Sequence, residues 1–65
     1  MKLTYWINKR LLRPEVVKVS GKWMIHFSIF GEQCSLPYRY LSRSTADAEM
    51  ERYFSEKIYK AQDFR

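Results

Sequence analysis

The sequence predicts an α+β domain: a three- or four-stranded, mainly antiparallel sheet packed on one face by a single C-terminal helix. Three observations carry this. Apolar residues recur at helical spacing in the last third, at Ala46, Met50, Tyr53, Phe54, Ile58 and Ala61. Alternating β-branched and aromatic runs fill the middle, punctuated by Ser20-Gly21 and Gly31-Glu32. The chain has 65 residues, enough for one domain. A domain of this size buries only about 60% of the surface its unfolded chain exposes. Its core must therefore be dense in large side chains, which an aromatic content of 17% supplies.

Taken in order, Leu3 to Asn8 reads as a first strand (residues 3–8), and Arg13-Pro14 breaks its continuation. A second strand spans about 16–20 and leads through Ser20-Gly21, a tight hairpin, into a third over about 23–30. After Gly31-Glu32 a return strand covers about 33–36, until Pro37 ends it for want of an amide hydrogen. The helix is expected over about 45–61, with Ser44 as N-cap and Asp47 three positions on. Its first turns are acidic (Asp47, Glu49, Glu51) and its last carries Lys57 and Lys60, both of which suit the helix dipole. The tail after Ala61 is expected to fray.

Strand alternation sorts the faces. Trp23, Ile25, Phe27 and Ile29 point one way, with Val17, Val19, Cys34 and Leu36 expected to join them. One helix can cover only one sheet face, and this is the more apolar one. The opposite face is then Lys18, Ser20, Lys22, Met24, His26, Ser28, Gln33 and Ser35.

Charge adds a direction. The net charge is +5, and residues 1–43 hold all the surplus. They carry Lys2, Lys9, Arg10, Arg13, Lys18, Lys22, Arg39 and Arg43 against Glu15 and Glu32, while residues 44–65 are slightly acidic. Such asymmetry points to an anionic partner for one half of the molecule. A lone cysteine, Cys34, makes no internal disulfide and reads as a small buried thiol of an intracellular protein. The N-terminal apolar run is too short for a signal peptide, and no stretch nears the roughly 20 apolar residues of a membrane span. The expected compartment is the cytoplasm.

Catalytic chemistry finds little support. His26 and Cys34 fall on opposite faces, so a Cys–His pair does not meet. No metal-ligand spacing and no Gly-rich phosphate loop occurs, and no cofactor is expected. Binding fares better, because a sheet can enter a major groove and phosphates reward basic residues at its rim.

Gly21-Lys22-Trp23 opens the central strand, Thr45-Ala46-Asp47 opens the helix, and Tyr53 follows eight residues after Thr45. Over about residues 16–61 this resembles the three-strand-plus-helix DNA-binding domains of plant ethylene-response factors and the N-terminal arm-binding domains of tyrosine integrases. The resemblance implies that Trp23 packs beneath the sheet while Lys22, Met24, His26 and Ser28 face the groove, as the alternation independently suggests.

The leading expectation is thus a non-enzymatic module that binds double-stranded DNA with a basic sheet face, as a small regulator or recombination accessory factor. Lys18, Lys22, Met24, His26, Ser28 and Arg39 would lie on or beside the groove, with Lys9, Arg10 and Arg13 on phosphates. The alternative is a protein-interaction module, such as a small phage-type protein that binds or inhibits a host protein through its aromatic and basic surface. A homodimer through the N-terminal strand fits either reading.

Overall fold

The computed structural model describes residues 3–64. Helix α1 (Leu3–Leu12) comes first, then strands β1 (Glu15–Val19), β2 (Lys22–Ile29) and β3 (Glu32–Ser35), helix α2 (Arg43–Tyr53) and a closing 3-10 turn (Ala61–Phe64). The strands form an antiparallel meander in the order β1-β2-β3. Both hairpins use two-residue turns, Ser20-Gly21 and Phe30-Gly31, with all four residues at positive φ. That is the φ signature of the type I′ turn, whose twist matches that of the strands.

Both helices pack on one face of the sheet. Tyr5 and Leu12 of α1 share a core with Ile25, Phe27, Leu36, Phe54 and Tyr59. The far end of this core is largely aromatic: Phe54 meets Phe27 edge-on at 5.9 Å, and Tyr53 stacks on Tyr59 at 4.8 Å. Beyond β3 the chain continues along β2 in the same direction, and Trp23 and Tyr40 exchange backbone hydrogen bonds of 2.9 and 2.8 Å. No helix among the described residues is long and apolar enough to cross a membrane.

The α+β class and the sheet agree with the sequence reading, but several elements differ. Residues 3–8 belong to a helix and not to a strand. The buried side of α1 is Tyr5, Asn8 and Leu12, helical spacing with a polar residue at its centre. With no N-terminal strand, the homodimer contact expected there has no edge to use. The C-terminal helix is shorter than 45–61 and starts earlier. Ser42 and not Ser44 is the N-cap: its backbone is extended, and its Oγ accepts the Thr45 amide hydrogen at 3.2 Å. The helix stops at Tyr53 because α1 claims the next backbone groups. Asn8 Nδ2 donates to the carbonyls of Phe54 (2.7 Å) and Lys57 (2.8 Å), and Asn8 Oδ1 accepts the Tyr59 amide hydrogen at 3.1 Å. Ile58, assigned to the buried stripe, is consequently exposed, and Tyr59 is buried instead. Beyond Ala61 the 3-10 turn places Phe64 against Phe27, ring centroids 4.6 Å apart.

Candidate nucleic-acid interface

With both helices on one side, the other face of the sheet stays open. Register determines its membership, because residues directly opposite each other share a face. Glu15 pairs with His26 and His26 with Ser35; Val17 pairs with Met24, Val19 with Lys22 and Ser28 with Gln33. Lys22, Met24, His26 and Ser28 thus lie together on the open face, as the alternation predicts. Cys34 pairs with Phe27 and lies on the other side from His26.

Lys18 does not belong to that face. It pairs with Trp23 on the helix-covered side, its Nζ 5.8 Å from the Trp23 ring centre. The two-residue turn is the reason. Pairing Val19 with Lys22 puts the even residues of β1 with the odd residues of β2. Val16 therefore packs on the core, while Val17 and Val19, expected inside, turn to the open face. The open face consequently holds one lysine, Lys22, and one carboxylate, Glu15, and is not basic. At its centre Gln33 Nε2 lies 2.8 Å from His26 Nδ1.

The cations gather at the two ends of the sheet. At the Trp23 end, Lys18 and Arg43 both approach the indole, Arg43 Cζ at 5.9 Å. Arg39 stands next to Tyr40, whose backbone pairs with Trp23. Burial first, then the charge of Glu49, raises the Tyr40 phenol above its ordinary value, so it stays a neutral donor. At the opposite end α1 finishes with Lys9 and Arg10, each over an aromatic ring: Lys9 on Tyr5 at 5.9 Å and Arg10 on Trp6 at 5.7 Å. Arg13 follows in the left-handed conformation (φ 49°), its amide hydrogen bonded to the Lys9 carbonyl at 3.1 Å. From there Arg13 borders two depressions. One is shared with Glu15, His26, Ser28 and Gln33, the other with Arg10, Leu11, Ser28, Phe30 and Gly31.

Ion pairs separate the two halves of the charge. Arg43–Asp47, Arg52–Glu49, Arg52–Glu56 and Lys57–Asp63 all fall after Ser42. Among the described residues, Lys9, Arg10, Arg13, Lys18, Lys22 and Arg39 have no carboxylate within ion-pair distance. Sequence reasoning missed two members of the basic ends. Arg43 was taken with the N-terminal charge only, and its approach to Trp23 depends on the Trp23–Tyr40 bridge. Phe30 was taken as a strand residue, although the Gly that follows it signals the turn. Such an arrangement can hold phosphates at two separated points and leave a neutral, hydrogen-bonding surface between them. Comparison with protein-family models, with curated proteins and with solved structures gives no match.

Proposed function

We propose that the chain is a non-enzymatic module that binds duplex DNA, with phosphates held at the two basic ends of the sheet. Lys22, Met24, His26 and Ser28 then face the groove between them. One observation carries the reading: among the described residues, six cations before Ser42 lack acidic partners, whereas Asp47, Glu49, Glu56 and Asp63 of α2 and the segment after it are engaged in ion pairs. The charge is segregated, and segregated positive charge over separated points suits a polyanion better than a small anion. A small cytoplasmic regulator or recombination accessory factor fits these properties, and the three-strand meander followed by a helix is the arrangement the resemblance implies. The test is the salt dependence of binding to a generic duplex. Neutralising about five phosphates gives a log–log slope near −4 to −5, so affinity falls several hundred-fold between about 50 and 200 mM salt. Absence of binding at the lower salt overturns the proposal.

The open face supports a second reading. Val17, Val19 and Met24 lie together there without excess charge, and Trp6 and Tyr38 are about half exposed. A protein partner docking on that face, as for a small inhibitor of a host protein, would bind with little salt dependence. Such binding would be lost on Val17→Lys.

A further inference from the structure

Phe30 is the large residue whose position folding explains least. It is 93% exposed, so its ring contributes nothing to the core. It also occupies the first central position of a two-residue turn at φ 50°, where Asn, Asp or Gly is favoured and a bulky side chain is strained. Strained residues of this kind cluster at functional sites. A second one lies beside it: Arg13, at φ 49°, borders the same depression as Phe30, Arg10 and the 65%-exposed Leu11. Among the described residues, two of the three non-glycine residues at positive φ, Arg13 and Phe30, therefore border one depression, with Arg10 and Arg13 supplying a guanidinium pair there. Glu32 borders Phe30 in a separate depression, with Ile29, Cys34 and Phe64.

We propose that Phe30 is a wedge that inserts between adjacent base pairs of duplex DNA, while Arg10 and Arg13 hold the phosphates beside the opened step. This rests on the DNA-binding reading and names the step of recognition that the sheet face does not supply. The ring projects from the tip of a short two-residue turn, so the backbone that carries it is already ordered before binding. A flat apolar side chain at such a tip, flanked by cations, has the chemistry of the wedges that unstack and kink duplexes. The two guanidiniums, without carboxylate partners among the described residues, fix the occupant as an anionic one. A bilayer is the weaker fit, since only Phe30 and Leu11 offer apolar surface in that depression.

The probe is a duplex of about 20 base pairs with a dye at each end and 2-aminopurine beside a central TA step, the step most easily kinked. The whole chain is expected to shorten the end-to-end distance, through a kink of some 20–90°, and to brighten the 2-aminopurine. Phe30→Asn and Phe30→Ala should lose both signals while keeping the slope of affinity against salt. Affinity should fall about fivefold, the low end of one base–aromatic stack. Asn suits positive φ, so Phe30→Asn should unfold at or above the denaturant midpoint of the parent, which separates loss of the wedge from loss of the fold. A Phe30→Asn protein that still kinks and brightens the duplex overturns the wedge and leaves DNA binding standing. No binding of any duplex at low salt overturns both. Phe30-dependent binding to phosphatidylserine vesicles, with an undistorted duplex, overturns the wedge in favour of a membrane.

Discussion

Asn8 is the one polar residue among the described ones that is fully buried, and it joins α1 to the rest of the molecule. Both of its N–H donors and its carbonyl oxygen engage the 54–59 segment: two donations to carbonyls and one acceptance from an amide. Three backbone groups that a continued helix would have satisfied are satisfied by one side chain. Removing it therefore strands buried partners, and each costs its own desolvation. Asn8→Ala should destabilise the fold by about 3 kcal/mol, a large share of what a domain of this length has. The urea midpoint measures it, and a loss below about 1 kcal/mol would mean that water replaces the side chain at no cost. Asn8→Asp keeps the shape but sets a carboxylate oxygen against the Phe54 and Lys57 carbonyls. At neutral pH it should be at least as damaging as Ala. Phe30 illustrates the opposite case at the same scale: a residue that the fold tolerates and does not need.

At the scale of elements, the closing 3-10 turn shows how a short segment is secured by its ends. Asp63 Oδ2 accepts the Lys60 amide hydrogen at 2.7 Å, a back-reaching carboxylate like that of a capping box, and Lys57 Nζ lies 3.4 Å from Oδ1. The backbone hydrogen bond from Lys60 is the main cause that holds the Asp63 carboxyl below its ordinary value, with Lys57 assisting. A carboxylate depressed in the folded state stabilises it above the unfolded pKa of about 3.9, and that contribution disappears as pH falls through the lower folded value. Asp63→Asn should thus lower the urea midpoint modestly at pH 7 and leave it equal to the parent near pH 2. A difference that persists unchanged in acid would assign the effect to shape and not to charge. The same scale shows what the sequence could reveal. The meander was legible because alternation and turn residues are local, and α2 because its stripe of Ala46, Met50, Tyr53 and Phe54 is apolar throughout. Helix α1 was not, since its buried stripe has Asn8 at the centre and Leu3 to Ile7 alone looks extended. The end of α2 was not legible either, because a side chain some 46 positions away in the chain terminates it. On the open face, Lys22, Met24, His26 and Ser28 follow from period two. Lys18 was misplaced because a valine pair was assumed to point inward, when the two-residue turn had already settled the register.

For the whole molecule, the position of charge separates a binding surface from mere solubility. A net charge of +5 would help keep any small domain in solution, wherever the charges lay. Here the cations after Ser42 mostly stand beside carboxylates, while those before it lie against aromatic rings or in the open. A phosphate backbone gains most from the second group, because each contact there releases counterions without first breaking an ion pair. Two double substitutions make the distinction measurable. Arg10→Ala with Arg13→Ala and Arg52→Ala with Lys57→Ala each remove two positive charges, so both proteins have the same net charge. If net charge alone drives binding, their affinities for duplex DNA and their salt slopes should match. If the basic end of α1 takes phosphates, the first pair should flatten the log–log salt slope by about two, and the second should leave it near the parent value. The second pair carries its own control, since exposed ion pairs contribute little to stability and that protein should remain folded. Equal slopes for the two proteins would remove the α1 end from the interface, and with it the guanidiniums that flank Phe30.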